Sequence, residues 1–138
     1  MLFMTIQLRL KSALIITLAM LLQTSLALNT DANQPYNITS HTALHDSNKN
    51  ITIFTGQAKM VQGSTTITGD KSTVLHYKNS NNIHAIITNG KPAHYTTTPK
   101  IGQEQIHASA QVIEFYPDAH LAILIGNASV MQNNNTMT

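Results

Sequence analysis

From about residue 36 onward, the chain is a series of short runs in which apolar and polar residues alternate. Runs such as "STTITGDKSTVLHY" and "QIHASAQVIEFY" are separated by turn-forming stretches such as "KNSNN" and "PDA". No window of about 11 residues in this part has the i, i+3, i+4, i+7 apolar stripe of an amphipathic helix. Only 10% of the residues are charged, so exposed helices would lack their usual residues. The pattern predicts an all-β fold of antiparallel strands.

One phrase occurs twice in the chain. "FTGQAKMVQG" at 54–63 and "LIGNASVMQ" at 124–132 align when the sequence is shifted by 70 residues, which places Gly56 on Gly126 and Ala58 on Ala128. A third copy, "ITNGKPAHY", surrounds Gly90. Glycine inside a strand usually marks a bulge or a close backbone approach. The repeat therefore predicts hairpins that stack, because one hairpin cannot bury its own apolar face.

The first 27 residues have the pattern of a secretory signal peptide. Arg9 and Lys11 precede an uncharged apolar stretch at 13–22, and the small residues Ser25 and Ala27 follow it. The apolar stretch is shorter than the ~20 residues that span a bilayer, which favours cleavage after Ala27. A signal anchor that stays in the membrane is the alternative.

The remaining residues 28–138 carry no net charge. Of the 8 basic residues in the chain, two lie in the leader, which leaves six lysines against 6 acidic residues. A nucleic-acid partner is therefore not expected, because phosphate binding needs a basic surface. The chain has no Cys and no nucleophile elbow, and His41 and His45 would lie roughly 13 Å apart along a strand, too far for one ion. We expect no enzymatic activity, no metal and no cofactor.

Five segments together resemble the OstA-like periplasmic lipopolysaccharide-transport proteins. They are "QPYNI" at 34–38, "FTGQAKMVQG" at 54–63, "GDK" at 69–71, "NGKPAHY" at 89–95 and "LIGNASVMQ" at 124–132. The resemblance divides the chain into a cleaved signal peptide (1–27), a polar lead (28–35), an OstA-like β-domain (36–132) and a polar tail (133–138). The family normally continues with at least one further hairpin after the last glycine-containing strand, so the β-domain is short at its C-terminal end.

The resemblance implies a twisted antiparallel jelly roll, open like a folded taco, whose apolar interior carries the acyl chains of lipid A. It implies a periplasmic carrier and bridge that moves lipopolysaccharide from the inner to the outer membrane. The implied partners are lipopolysaccharide, an inner-membrane LptC-like protein and an outer-membrane LptD-like translocon, with head-to-tail self-association through edge strands. Two alternatives remain open: a membrane-anchored inner-membrane partner of the same pathway, and a structural β-module without a ligand.

Alternation around the glycines predicts which side chains face inward. Phe54, Ala58 and Met60 share one face, whereas Gln57 and Lys59 lie on the other. The expected lipid-binding groove consists of Tyr36, Ile38, Phe54, Met60, Ile67, Tyr95, Ile113, Phe115, Leu124 and Val130. Tyr36, Tyr95 and Phe115 are included because they fall where the family's acyl-contacting aromatic residues lie. Each residue alone is more simply explained as ordinary core. The chain, however, has only three Phe and no Trp to fill the interior, and small inward-facing residues leave room there for a ligand.

Overall fold

The protein forms one open antiparallel sheet. The structure is a computed structural model that describes residues 33–100 and 102–138, and these form nine strands. The strands are β1 (Asn37–Thr39), β2 (Thr42–Asp46), β3 (Ile51–Gln62), β4 (Thr65–His76), β5 (Ile83–Thr97), β6 (Ile106–Tyr116), β7 (Leu121–Ile125), β8 (Ser129–Gln132) and β9 (Asn135–Met137). Their order in the sheet is β1-β3-β4-β5-β6-β8-β9, with β2 also paired to β3 and β7 also paired to β6. The predicted all-β antiparallel fold is confirmed.

Tight turns join neighbouring strands and fix their register. Gln62 pairs with Thr65, so Gly63 and Ser64 form a two-residue turn, and Gly63 has a φ of 55°. A positive φ at the first turn residue matches the right-handed twist of the flanking strands, and glycine adopts it without strain. Asn133 occupies the same position in the turn between β8 and β9, with a φ of 56°. Asn tolerates this conformation better than most residues.

A line of irregular positions crosses every long strand and bends the sheet. The register shifts between Thr55 and Ala58 on β3, and between Asn89 and Ala93 on β5. The buried side of β5 changes from even-numbered residues at Ile86 to odd-numbered residues at Ala93, which is the effect of an extra residue in a strand. Between β1 and β2, and between β7 and β8, the same line interrupts the strand altogether. We call this line the fold line.

The 70-residue repeat is also present in the backbone. His41 N donates to Gly56 O at 2.9 Å, and Gln111 N donates to Gly126 O at 2.9 Å. Gly56 and Gly126 have φ values of 84° and 81°. Three further pairs related by the same shift also have positive φ: Asn50 and His120, Gln57 and Asn127, and Gly63 and Asn133. Gly90 is not among the positive-φ residues, so the segment around it lies on the fold line without being an equivalent copy.

The two parts of the sheet on either side of the fold line share one core. Met60 and Ile67 from one side belong to the same buried cluster as Val74 and Ile86 from the other. The cluster as a whole consists of Met60, Ile67, Val74, Ile86, Ala93, Ala110, Ile113 and Phe115. The sheet is therefore folded over on its apolar face.

Two segments differ from the sequence-based expectation. The first alternating run, which begins at residue 36, does not form one strand but is interrupted at Ser40 and His41, where the partner strand β3 bulges at Gly56. Within residues 133–138, expected as a polar tail, Asn135–Met137 forms β9 and pairs with β8. The region 1–32, which includes the expected signal peptide, lies outside the described residues. No helix long and apolar enough to cross a membrane is found in the part of the chain that the structure describes.

Candidate functional site

Three rows of side chains cross the inner face of the folded sheet. Residues that pair across neighbouring antiparallel strands point to the same face, so the register defines each row. Row one is Ile38, Met60, Ile67, Tyr95, Ala108 and Val130. Row two is Ala43, Phe54, Ser72, Thr88, Ile113 and Leu124. Row three is Thr52, Val74, Ile86, Phe115 and Ala122.

The structure brings the ten residues expected from the sequence to this inner face. Met60, Ile67, Ile113 and Phe115 belong to the buried cluster, and Tyr36, Ile38, Phe54, Tyr95 and Leu124 are partly buried and pack against it. Val130 is partly buried and stands opposite Ala108 in row one. Gln57 and Lys59, expected on the opposite face, are exposed. The inner face is thus a mainly apolar surface to which both sides of the fold line contribute.

Sequence reasoning missed four members of the buried cluster, namely Val74, Ile86, Ala93 and Ala110. The two largest, Val74 and Ile86, are almost fully buried and face each other across β4 and β5 in row three. The sequence feature that could have identified Val74 and Ile86 is the hairpin turn at 77–82, because it fixes the register that pairs them. Alternation alone does not select Ile86, since Ile87 next to it is equally apolar.

The centre of the inner surface is closed. Met60, Ile67, Ile86 and Ile113 each have 0% exposure. Row two also holds a polar pair, in which the hydroxyls of Ser72 and Thr88 lie 2.7 Å apart with both residues fully buried. Each hydroxyl satisfies the other, which keeps a polar contact inside an otherwise apolar interior.

An open cleft of about 690 Å³ lies where the two sides of the folded sheet meet at the rim. We call it the rim cleft. Tyr36 lines it from the strand β1 side, and the turn after β4 and the turn after β6 line it from the other side. The Tyr77 hydroxyl donates to Asp118 Oδ2 at 2.6 Å, and this hydrogen bond to a carboxylate raises the pKa of Tyr77 above 10.0. Burial is the main reason that the pKa of Tyr36 is also raised.

Among the described residues, β7 pairs only with β6, so its other side has no strand partner there. The Gln111 N–H donates to Gly126 O, and hydrogen-bonded pairs alternate along an antiparallel ladder. In this register the N–H groups of Ile123 and Ile125 point away from β6, towards the open edge. Their side chains are 38% and 46% exposed. The edge of β8, by contrast, is covered by β9.

The residues 33–100 and 102–138 contain no group of three or more His, Cys, Asp or Glu side chains able to hold a metal ion. His45 Nδ1 and His76 Nε2 instead lie within hydrogen-bond distance of the Thr52 hydroxyl, at 2.9 Å and 3.1 Å.

An open antiparallel sheet, folded along one line around an apolar inner face, defines the class of β-taco or β-jelly-roll proteins. Residues 37–138 match the sequence model of the family described as LptA/(LptD N-terminal domain) LPS transport protein. The chain belongs to this family.

Two comparisons with proteins of Pseudomonas aeruginosa agree with this. The lipopolysaccharide export system protein LptH (strain PAO1) is 30% identical over 112 residues, which cover 81% of this chain and 63% of that protein. The chain thus spans less than two thirds of that relative's length. The crystal structure of LptH, described as the LptA homologous periplasmic component of the conserved lipopolysaccharide transport device, matches with a TM-score of 0.72 at 28% identity. That match covers 77% of this chain and 72% of the LptH chain, and it supports the expected jelly-roll or taco architecture.

Proposed function

We propose that this protein is a non-enzymatic periplasmic carrier and bridge that binds lipopolysaccharide through its acyl chains. The observation that carries the proposal is the mainly apolar inner face, formed by three rows of side chains from both sides of the fold line. Family membership and the description of LptH as a periplasmic transport component support the same function. The partners proposed are an inner-membrane LptC-like protein and an outer-membrane LptD-like translocon.

Acyl binding requires the two sides of the sheet to separate, because the centre of the inner face is closed. Burial of one CH₂ group contributes about 0.8 kcal/mol, so an acyl chain of about 12 carbons gains roughly 9 kcal/mol before any cost of opening. Opening separates apolar side chains that pack on each other across the fold line, and an acyl chain between them provides new apolar neighbours. Opening and binding are therefore coupled. Binding is favourable when the free energy gained by burying the acyl chain exceeds the packing free energy lost when the two sides separate.

The closed interior also favours a second candidate, a structural β-module without a ligand. In that case Met60, Ile67 and Ile113, each fully buried, are an ordinary core. The two candidates differ in one observable: only in the carrier does the inner face pack against lipid.

Site-specific photo-crosslinking separates the two candidates. A photoreactive residue placed at Phe54, Tyr95 or Leu124 faces inward from a partly buried position that tolerates a bulky ring better than the closed centre does. We expect these positions to capture lipopolysaccharide. The matched controls are Gln57 and Lys59, which are exposed and adjoin the same strand segment. Equal capture from the control positions, or no capture from any inward position in a folded protein, would contradict the carrier function.

Export to the periplasm is proposed on the sequence pattern of residues 1–27, with cleavage after Ala27. The alternative of a retained anchor corresponds to the inner-membrane partner of the pathway. Mass spectrometry of the purified protein distinguishes them, because only the cleaved form lacks the mass of the leader.

A further inference from the structure

Two histidine side chains converge on one hydroxyl group at the end of row three. His45 stands opposite Thr52 in the pairing of β2 with β3, so both side chains lie on the inner face. His45 Nδ1 lies 2.9 Å from Thr52 Oγ1, and His76 Nε2 lies 3.1 Å from the same oxygen. The two imidazole rings meet edge to face, with centroids 6.1 Å apart. We call His45 and His76, with the Thr52 hydroxyl between them, the histidine pair.

The hydrogen bonds of the histidine pair have one direction when both imidazoles are neutral. His76 Nδ1 lies 3.3 Å from Asn81 O, and a carbonyl oxygen can only accept, so His76 carries its proton on Nδ1. Its Nε2 then accepts the Thr52 proton, and the Thr52 oxygen accepts from His45 Nδ1–H. A protonated imidazole donates from both nitrogens. Protonation of both rings therefore places two donors on the Thr52 oxygen and frees the Thr52 O–H for another acceptor.

The charged groups around the histidine pair balance one another. Lys49 lies in the turn between β2 and β3, and Lys78 lies in the turn after β4. Two carboxylates belong to or contact the same turns: Asp46, which lies 3.7 Å from Lys49 Nζ, and Asp118, which accepts the Tyr77 hydroxyl. Protonation of the two imidazoles therefore makes this corner of the inner face positive.

The histidine pair adjoins both the apolar interior and the rim cleft. Row three continues from Thr52 to Val74 and Ile86, which belong to the buried cluster. His76 pairs with Ile83, and Ile83 lines the rim cleft. A lipid whose chains lie between the two sides of the sheet therefore has its polar end close to the histidine pair.

The rim cleft itself does not suit an anionic group. None of the described residues that line it is Lys or Arg, and Asp118 contributes a carboxylate. Phosphate recognition relies on cationic side chains and other N–H or O–H donors, because these complement its charge and its acceptor oxygens. The glycolipid that the proposed carrier binds is phosphorylated, so its phosphate needs donors outside the cleft. The histidine pair supplies such donors next to the cleft.

We propose that the histidine pair binds a phosphate monoester group on the headgroup of the carried glycolipid. A phosphate oxygen accepts the freed Thr52 O–H, and the imidazolium rings of His45 and His76 flank it. An imidazole ordinarily gains its second proton near about pH 6.5, and a neighbouring anion favours the charged form. This site rests on the proposed carrier function, which concerns the acyl chains, and adds a place for the charged end of the lipid.

The test uses the isotope-labelled full chain and three probes. Octyl phosphate carries an alkyl chain and a phosphate monoester, octanol carries the chain alone, and inorganic phosphate carries the charge alone. At about pH 6, where imidazole is mostly protonated, we expect octyl phosphate to shift the imidazole signals of His45 and His76 and the methyl signals of Val74 and Ile86. Octanol should shift the methyl signals only. Inorganic phosphate should shift the imidazole signals only, with weaker binding than octyl phosphate.

A double variant and a matched control measure the contribution of the two imidazoles. H45Q/H76Q removes both positive charges but keeps side chains that can form a hydrogen bond with Thr52, so the fold should be kept. It should bind octyl phosphate at least about tenfold more weakly at about pH 6, because hydrogen bonds to charged groups are the stronger ones. The control H94Q/H107Q removes two exposed histidines from the opposite face of β5 and β6 and should bind as the parent chain does. The difference between parent and H45Q/H76Q should shrink at about pH 8, because ionisation of the phosphate affects both proteins alike whereas only the parent loses protons from the histidine pair.

The outcomes separate the phosphate site from the carrier function. No response of the His45 and His76 signals to octyl phosphate, or an affinity that H45Q/H76Q leaves unchanged, overturns the phosphate site. Equal weakening by H45Q/H76Q and H94Q/H107Q also overturns it. Inorganic phosphate that binds as tightly as octyl phosphate overturns the link to a lipid headgroup and assigns the pair to free phosphate. If both phosphate probes bind at the pair while neither octyl phosphate nor lipid A perturbs the methyl signals, the carrier function fails, and the link to a glycolipid fails with it.

Discussion

The glycines on the fold line allow the cost of the bend to be measured. Gly56 has a φ of 84°, and a Cβ placed on it would lie 2.7 Å from His41 Nδ1 and 3.0 Å from His41 Cβ. Gly102 has nearly the same φ, 81°, but nothing lies within 4 Å of the Cβ position. G56A therefore combines backbone strain with a steric contact, whereas G102A has backbone strain alone.

The strain and the contacts at each glycine set the expected loss of stability. A left-handed conformation costs an L-residue about 1–2 kcal/mol, and overpacking adds about 1–3 kcal/mol. We expect G102A to lower the free energy of unfolding by about 1 kcal/mol and G56A by roughly 2–3 kcal/mol. Loss of glycine also reduces the entropy of the unfolded chain, but this applies to both variants and cancels in their difference. G126A, whose Cβ would meet Gln111, should resemble G56A.

Urea unfolding followed by far-ultraviolet circular dichroism measures all three free energies. The decisive quantity is the difference in the free energy of unfolding between G56A and G102A at an unchanged m-value. This difference isolates the close approach of β3 to the segment between β1 and β2. Equal destabilisation by G56A and G102A would show that this approach has no energetic role. A large difference between G56A and G126A would show that the two copies of the repeat are not mechanically equivalent.

Three further predictions concern the edge, the tyrosines and the leader. The double variant I123P/I125P removes only N–H groups that face the open edge of β7, so it should keep a β-sheet spectrum but lose concentration-dependent oligomers in light scattering. A parent protein that is monomeric and also fails to pair with its partner would contradict bridging through this edge. The Tyr77–Asp118 hydrogen bond raises the pKa of Tyr77, so it stabilises the fold below pH 10.0, and this contribution is lost as the pH rises through the raised pKa. D118N should therefore lower the pH midpoint at which tyrosinate absorbance appears. An unchanged midpoint would refute the assigned cause. The mature protein should begin at Leu28 and fractionate with soluble periplasmic proteins, whereas an uncleaved chain that resists carbonate extraction from membranes would refute this.

The sequence predicted the strands and the inner face well because both depend on local alternation. Phe54 and Met60 were placed correctly because glycine marked the bulge between them. The break at Ser40 and His41 was missed because its cause lies on another strand, at Gly56. Sequence alone cannot show such a cause until the register is known.

The closure of the interior was equally out of reach of sequence reasoning. Small inward residues indicated free space, yet Met60 and Ile86 belong to one buried cluster across the fold line, and both are fully buried. How far the two sides of a sheet approach each other depends on the bend at the fold line, and alternation carries no information about that angle.

The equivalence of the two copies related by the 70-residue shift has a consequence for movement along the protein. Gln57 and Asn127 have φ values of 47° and 48°, and Asn50 and His120 have values of 53° and 49°, so the first and last copies bend the backbone in the same way. On the proposed function, a lipid that moves along the inner face passes two bends of similar shape, with the different segment around Gly90 between them. Two similar ends give this movement no built-in direction. Net transport would then follow from loading of lipid at one end of the inner face and its removal at the other, and not from a gradient in binding free energy along the protein.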